Sequence, residues 1–172
     1  NIHFPESPEA LDIARRRLAF EELFFFAIGL KLLRSRRETV SVEPFQPVDM
    51  APFYNALPFT LTDAQRRCVE EAIADMQSGK PMNRLCQGDV GSGKTMVAAA
   101  CVYFCVKNGR QAALMAPTEL LAEQHYRGLA PLLERLNIRC ALLTGSTPAK
   151  TKRSITAQLA TGEIDFAIGT HA

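Results

Sequence analysis

The sequence predicts an α/β fold in which a parallel sheet is flanked by helices, preceded by a long N-terminal helix and a Pro-rich linker. Three observations carry this prediction. No proline occurs between Pro8 and Pro44, a span that one helix can fill. From about residue 60 onward, helical segments alternate with short apolar runs, a pattern typical of parallel sheets. A glycine-rich stretch, Gly88–Thr95, follows one of those runs and opens a helix.

Composition places the chain among ordinary globular proteins. Of its 172 residues, 47% are apolar and 22% are charged, which excludes the disordered and collagen-like classes and fits one domain with an appendage. The net charge of +2 is too balanced to indicate nucleic-acid binding by itself. No apolar run reaches the ~18–20 residues needed to span a bilayer, so we expect no membrane partner.

Cysteine usage indicates a reducing compartment, and we therefore expect a cytoplasmic protein. The five cysteines are an odd number, and none of them forms a C-x-x-C pair. Cys101 and Cys105 share a predicted helix face, but no neighbouring His or further Cys completes a zinc site. We interpret these two cysteines as small buried hydrophobic residues.

Residues 1–57 are predicted to form a long helix and an extended linker. Ser7 can cap the helix with Pro8 at its first position, and the helix can continue to Arg37. The middle of the helix, Leu18–Leu33, is apolar nearly all round and must be covered on several sides, so we expect further domains or a partner to contact it. Four prolines within residues 43–58 predict an extended linker packed along a surface.

Residues 58–172 are predicted to form the domain that contains the sheet. Helices are expected to begin at Thr62, near Lys94, at Thr118 and at Thr147. Strands are expected at Arg84–Gln87, Gln111–Ala116, Arg139–Leu143 and Asp165–Ile168.

The stretch Gly88–Thr95 fits the phosphate-loop pattern G-x-x-x-x-G-K-[ST] fully. Its glycines permit the positive φ values that turn successive backbone N–H groups inward, and the following helix adds the partial positive charge of its N-terminus. We expect the Lys94 ammonium to act catalytically at the β- and γ-phosphates and the Thr95 hydroxyl to ligate Mg²⁺. The predicted nucleotide-binding residues of this loop are Gly88, Asp89, Val90, Gly91, Ser92, Gly93, Lys94 and Thr95.

Gln65 precedes this loop by twenty-three residues and has two interpretations. In the first, Thr62 and Gln65 form a capping box at a helix start. In the second, the carboxamide of Gln65 offers one donor and one acceptor to the N6 and N7 edge of adenine. Spacing favours the cap and leaves the adenine interpretation open.

Polar loops follow three of the predicted strands. Carboxyl ends of parallel strands meet at one edge of a sheet, where open α/β sheets place ligands. Thr118 and its neighbouring amides can bind a nucleic-acid phosphate there, or Thr118 can be only an N-cap, and both interpretations stay open. The candidate DNA-binding residues are Pro117, Thr118, Glu119, Gln124, Thr144, Gly145, Gly169, Thr170 and His171.

In order and spacing these motifs resemble the first motor domain of superfamily 2 helicases. The matching segments are Leu57-Pro58-Phe59 with Ala64-Gln65 (the adenine motif), Gly88–Thr95 (motif I), Pro117–Gln124 (motif Ia), and Thr144-Gly145 and Gly169–Ala172 (the DNA-contacting motifs that follow). Arg17–Leu23 resembles the helix that joins a wedge domain to the motor in bacterial members that act on branched DNA. The resemblance covers essentially the whole chain.

The resemblance implies a RecA-like motor domain that uses ATP and Mg²⁺ and binds DNA. It makes Gln65 an adenine ligand as well as a cap, and Phe59 a stacking partner for the base, with Arg66 or Arg67 nearby. It also implies an ATP-dependent helicase acting on replication forks and Holliday junctions in recombination and repair. The remaining domains of such a helicase would be partners of this segment.

The pattern of this family continues with a D-E-x-H strand, a second motor domain and an arginine finger, none of which occurs in the 172 residues. We therefore expect an internal fragment that hydrolyses no ATP alone. Three other interpretations stay open. The chain could belong to another P-loop motor such as the transcription-repair coupling factor, to a P-loop kinase or nucleotide switch, or to a scaffold whose long helix serves interdomain contacts.

Overall fold

The computed structural model describes residues 2–38 and 41–171, with only the backbone described for 34–38. It divides into two compact units, Asn1–Val42 and Glu43–Ala172. The Pro-rich segment therefore belongs with the sheet-containing unit by its contacts.

The first unit contains the long helix α1, Pro8–Glu38, which the sequence predicted as about Pro8 to Arg37. Its N-terminus is capped by Ser7, whose Oγ accepts a hydrogen bond from Ala10 N at 3.2 Å. Arg17 and Glu21 pair one turn apart at 2.9 Å. The apolar middle of α1 is exposed, with the rings of Phe20 and Phe24 stacked at a centroid distance of 5.6 Å.

The second unit contains a three-stranded parallel sheet, with helices between and before its strands. Its helices are α2 (Ala51–Ala56), α3 (Asp63–Gln77), α4 (Lys94–Lys107), α5 (Glu119–Glu134) and α6 (Ala149–Ala160). Its strands are β1 (Ala112–Met115), β2 (Cys140–Leu143) and β3 (Phe166–Gly169), in the spatial order β1-β3-β2. The fold is a partial RecA-like domain, as predicted.

Burial of apolar faces holds the sheet and helices together. α5 packs on β2 and β3, α4 contacts α3, α5 and β1, and α6 contacts β2. The largest fully buried side chains are Phe53, Phe104, Phe166, Leu129, Leu133, Ile138, Ile168 and Val69. Since β3 is the central strand, its Phe166 and Ile168 are buried completely.

The segment 43–58 contains a helix that the prediction of a fully extended linker missed. Pro52 stands in the first turn of α2, where its fixed φ and missing N–H are tolerated. The Asp49 carboxylate accepts from Ala51 N at 2.9 Å, and Phe53 is fully buried beneath the helix. The four prolines predicted an extended chain, but Pro52 lies in the first turn of a helix.

The remainder of this segment packs along the surface of the domain. Phe45 N donates to Met76 O at 3.2 Å, which ties the segment to the end of α3. Gln46 and Asn108 bond reciprocally: Gln46 N donates to Asn108 Oδ1 at 2.6 Å, and Asn108 Nδ2 donates to Gln46 O at 3.2 Å. Asn108 directly follows α4, so the segment is bound to the C-terminal end of that helix.

The prediction of a strand at Arg84–Gln87 is wrong for this structure, which has no strand there. A strand requires backbone hydrogen bonds to a neighbour. A cleft of about 710 Å³ is lined by Leu85 and Cys86 on one side and by Ala112–Leu114 of β1 on another. The segment therefore pairs with no strand among the described residues, and the Leu85 side chain remains 86% exposed.

The other predicted elements of this unit are present within two residues at either end. Within residues 2–38 and 41–171, no helix has the length and apolar content needed to cross a bilayer.

Candidate nucleotide site and nucleic-acid interface

The phosphate loop, Gly88–Thr95, has the backbone geometry that its glycines allow. Gly91 and Gly93 adopt φ values of 80° and 81°, in the left-handed region that L side chains rarely enter. Ser92 N donates to Asp89 O at 3.1 Å and closes a turn. α4 begins at Lys94 immediately after Gly93, so the first amides of a helix lie at the loop.

The Lys94 side chain folds over this loop. Its Nζ donates to Gly88 O and Asp89 O, both at 2.7 Å, and lies 3.4 Å from Ser92 Oγ. The ammonium is thus already within the loop, on an exposed surface. To contact a bound phosphate, the ammonium must give up at least one of its hydrogen bonds to Gly88 O and Asp89 O. The loss of that bond offsets part of the favourable energy of the contact between lysine and phosphate.

Gln65 joins the start of α3 to the phosphate loop. Its Oε1 accepts from Thr62 N at 2.9 Å, and the Thr62 hydroxyl accepts from Gln65 N at 3.3 Å, so the predicted capping box is confirmed. Its Nε2 also donates to Ser92 O at 2.8 Å, a contact that the sequence did not indicate. A carboxamide has two donor hydrogens and two acceptor lone pairs. One donor and one acceptor of Gln65 therefore remain available to a ligand.

Beside Gln65 lies a polar cleft of about 430 Å³, here called the base cleft. Its lining residues are Tyr54, Asn55, Leu57, Pro58, Phe59, Thr60, Leu61 and Arg66. The Phe59 ring is 49% exposed and available for stacking. Of the two arginines named with the resemblance, Arg66 lines the cleft. The volume falls in the range of about 300–1,000 Å³ typical of small-molecule sites.

The three predicted polar loops emerge at one edge of the sheet. Met115, Leu143 and Gly169 are aligned across the three strands, so the chain leaves each strand at the same level. Thr118 is the N-cap of α5, and its hydroxyl accepts from Leu121 N at 3.3 Å. Gly169 lies so close to Leu143 O that an added Cβ would collide with this carbonyl oxygen.

Hydrogen bonds connect two of these loops. The Glu119 carboxylate accepts from Ser146 N at 3.0 Å, which fixes the loop after β2 to the start of α5. Thr144 is buried, and its hydroxyl lies 3.0 Å from Ser146 Oγ. Among the described residues, the buried Thr170 Oγ1 has no hydrogen-bond partner. The exposed residues among the DNA-binding candidates are Pro117, Thr118, Gln124, Gly145 and His171.

The predicted metal ligand at the phosphate loop is the hydroxyl of Thr95, and the loop also contains the carboxylate of Asp89. Thr95 is the second residue of α4 and is half-buried. The described part of the chain contains no group of three or more His, Cys, Asp or Glu that could hold a metal ion. Mg²⁺ keeps several waters and takes phosphate oxygens as ligands, so a single threonine hydroxyl fits Mg²⁺ that arrives with a nucleotide.

The five cysteines are free thiols, with Cys86 exposed and the other four half-buried, so the interpretation of Cys101 and Cys105 as buried hydrophobic residues holds only in part. Burial is the largest factor that raises the pKa of Cys101 to about 11 and of Cys140 to about 12. Both thiols are therefore neutral at physiological pH and pack as hydrophobic side chains.

Fold and site together define a phosphate-loop domain of the nucleoside-triphosphate-binding class. A parallel sheet and a complete G-x-x-x-x-G-K-T loop at a helix start occur in one unit. The family described as DEAD/DEAH box helicase matches residues 62–172, and the chain belongs to this family.

Within that family the chain is homologous to part of the ATP-dependent DNA helicase RecG. It is 46% identical to RecG of Bacillus subtilis (strain 168), over 99% of this chain and 26% of that protein. It is 47% identical to RecG of Synechocystis sp., over 99% of this chain and 21% of that protein. A solved structure of RecG bound to a three-way DNA junction aligns with a TM-score of 0.85 at 44% identity, over 98% of this chain and 23% of that chain. The chain thus spans about a quarter of the length of these relatives.

Sequence reasoning did not find two contacts of the site and one residue that lines the base cleft. The Gln65–Ser92 and Glu119–Ser146 bonds each join residues 27 positions apart, and no local pattern marks such a pair. Tyr54 in the base cleft was hidden by the interpretation of its segment as an extended linker.

Proposed function

We propose that these residues form the first part of motor domain 1 in a longer, RecG-type DNA helicase that hydrolyses ATP and acts on branched DNA. The single observation that carries the proposal is the complete phosphate loop at the start of α4, in a chain 44–47% identical to RecG helicases over almost its whole length. Forks and Holliday junctions are the proposed substrates, in recombination and repair.

In the nucleotide site, Lys94 and the loop amides hold the triphosphate. The Lys94 ammonium neutralises charge that shifts onto the β- and γ-phosphate oxygens during transfer. Thr95 would hold Mg²⁺, which when bound supplies charge neutralisation to the phosphates. Backbone N–H groups for the phosphates come from the remaining loop residues, which are Gly88, Asp89, Val90, Gly91, Ser92 and Gly93.

In the base cleft, Phe59 stacks on adenine, and Gln65 reads the base edge with its remaining donor and acceptor. Two facts support this assignment. The cleft is lined by Arg66, which follows Gln65 directly in the sequence, and Gln65 contacts the phosphate loop. The carboxamide keeps hydrogen-bonding capacity after its internal bonds are counted.

At the sheet edge, the loops that follow β1, β2 and β3 contact DNA phosphates. The aligned strand ends and the α5 N-terminus support this, since helix-start amides and hydroxyls are common phosphate ligands. We assign Glu119 a structural role, because its carboxylate already accepts a hydrogen bond from Ser146 N and so connects the loop after β2 to the start of α5. Such a helicase works in the cytoplasm, in agreement with five free thiols.

The 172 residues alone are proposed to turn over no ATP. A D-E-x-H strand and an arginine finger are lacking from the sequence, and such a finger is worth on the order of 10³–10⁵ in rate.

The test is Lys94→Ala in the full-length protein, with Lys80→Ala as the matched control for loss of an exposed lysine in the same unit. We expect DNA-stimulated phosphate release to fall at least about 100-fold for Lys94→Ala and to stay unchanged for Lys80→Ala. Wild-type turnover in Lys94→Ala would overturn the assignment of the nucleotide site.

The DNA contacts are tested by variants of Thr118 and Thr170. Thr118→Ala removes both an N-cap and a hydroxyl, whereas Thr118→Ser keeps both and should rescue. Thr170→Val replaces a buried, unpartnered hydroxyl without loss of a hydrogen bond within the described residues. We expect Thr118→Ala and Thr170→Val to lower DNA-stimulated ATPase more than basal ATPase. Equal losses in both rates would indicate a structural role.

A further inference from the structure

The base cleft has an aromatic wall outside the adenine motif, and this wall is Tyr54 of α2. The half-buried ring of Tyr54 lies beneath the guanidinium of Arg66, with Cζ 5.7 Å from the ring centroid. Both residues line the cleft, and Phe59 lines it as well. The cleft therefore combines an exposed aromatic ring with a guanidinium that is supported by a second ring.

A ring contact and a backbone hydrogen bond fix the position of Tyr54. Its ring packs edge-on against Phe53 at a centroid distance of 5.8 Å and an interplanar angle of 70°, and Phe53 is completely buried. Leu57 N donates to Tyr54 O at 3.3 Å and closes α2. Burial raises the pKa of the Tyr54 phenol, and the Arg66 cation acts on it in the opposite direction, so the two groups lie within electrostatic reach.

We propose that Tyr54 is a positioning residue that holds Arg66 in place to stack on the nucleotide base opposite Phe59. The proposal rests on the assignment of the base cleft made above. A free arginine side chain has many rotamers, and ordering it on binding reduces affinity. An arginine already held over a ring loses less freedom, and its open face can cover a base because guanidinium planes stack on π-systems.

Arg66 is well placed for this role. It follows Gln65 directly, and its backbone N donates to Thr62 O at 2.9 Å in the first turn of α3. The capping box that orients the Gln65 carboxamide thus also fixes the point from which the Arg66 side chain starts. Gln65 would read the base edge while Arg66 and Phe59 cover its faces.

The experiment measures dissociation constants of the full-length protein for ATP and for inorganic tripolyphosphate, the base-free probe, by competition with a fluorescent ATP analogue. The variants are Tyr54→Leu, Tyr54→Phe, Arg66→Ala and the double variant Tyr54→Leu/Arg66→Ala. We expect Tyr54→Leu to weaken ATP about three- to tenfold, with tripolyphosphate unchanged. Tyr54→Phe keeps a ring under the guanidinium and should stay within about twofold of wild type.

The double variant tests that Tyr54 acts through Arg66. If it does, the double variant binds ATP no more weakly than Arg66→Ala, because removal of Arg66 leaves nothing to position. Losses that multiply in the double variant, or unchanged ATP binding by Tyr54→Leu, would overturn the proposal. Arg66→Lys keeps the charge at an exposed site without the planar group, and wild-type ATP affinity in this variant would also overturn it.

A failure of the base cleft itself has a different signature. If Phe59→Ala and Arg66→Ala both bind ATP as wild type does, the base binds elsewhere and the assignment under the proposed function falls. If those two variants lose ATP affinity and Tyr54→Leu does not, only the role of Tyr54 is wrong.

Discussion

Replacement of Gln65 by alanine should lower two quantities at once, the free energy of unfolding and the affinity for ATP. Gln65→Ala deletes the hydrogen bonds from Thr62 N and to Ser92 O, and both are exposed to solvent. At about 0.5–1 kcal/mol each, their loss should lower the free energy of unfolding by about 1–2 kcal/mol. The Thr62 hydroxyl still accepts from the backbone at position 65, so half of the capping box survives.

Nucleotide binding should fall by more than stability does. Loss of the partner to the adenine edge is worth about 1–3 kcal/mol, or about 5- to 150-fold in the ATP dissociation constant. Tripolyphosphate should weaken by a smaller factor, since the phosphate loop loses only its contact at Ser92 O. Thermal unfolding of the 172-residue chain and competition binding to the full-length protein measure the two effects.

Gln65→Glu is the matched variant. A glutamate can still accept from Thr62 N in the capping box but cannot donate to Ser92 O or to the base. Because the bond to Ser92 O is lost and the bond from Thr62 N is kept, we expect a melting temperature between those of wild type and Gln65→Ala, together with a loss of ATP affinity as large as that of Gln65→Ala. The reasoning is refuted if Gln65→Glu binds ATP normally, or if Gln65→Ala weakens ATP and tripolyphosphate equally.

Three further outcomes are expected. Gly93→Ala should weaken ATP binding more than Gly91→Ala. Both positions have a positive φ, but only a Cβ at position 93 displaces the Gln65 carboxamide from Ser92 O; equal losses in competition binding would contradict this. Hydrogen bonds from the Arg139 guanidinium hold the pKa of Asp165 below its ordinary value. The contribution of Asp165 to the free energy of unfolding is therefore complete above about pH 4 and is lost as the pH falls through the pKa of the folded state. Urea unfolding from about pH 3 to about pH 7 should show this loss, and Asp165→Asn should abolish it. Iodoacetamide at neutral pH should label exposed Cys86 before Cys101, whose pKa is raised to about 11; peptide mass spectrometry giving equal rates would contradict the burial argument.

Local signals in the sequence predicted local structure well. Ser7-Pro8 located the start of α1, Thr62 with Gln65 located the cap of α3, and the glycines of the phosphate loop have the positive φ values that the pattern requires. In each case the residues that determine the geometry lie within a few positions of each other, so their spacing is sufficient evidence.

Features that depend on distant residues were not predictable in this way. Arg84–Gln87 has the composition of a strand, but composition cannot tell whether a neighbour is present to pair with it. The helix α2 exists because Phe53 finds a buried site in the domain core, and a run of prolines conceals that. The second bond of Gln65 is set by where α3 packs against the phosphate loop, a tertiary contact.

The helix α4 contacts a different segment at each end. Its first residue, Lys94, belongs to the phosphate loop, and Asn108, just after its last turn, forms hydrogen bonds with the backbone of Gln46. Fourteen residues make a stiff rod of about 21 Å. Because Lys94 and Asn108 stand at opposite ends of one helix, the phosphate loop and the Pro-rich segment are joined through rigid helical backbone. Any displacement of α4 along its axis would therefore act on both segments together.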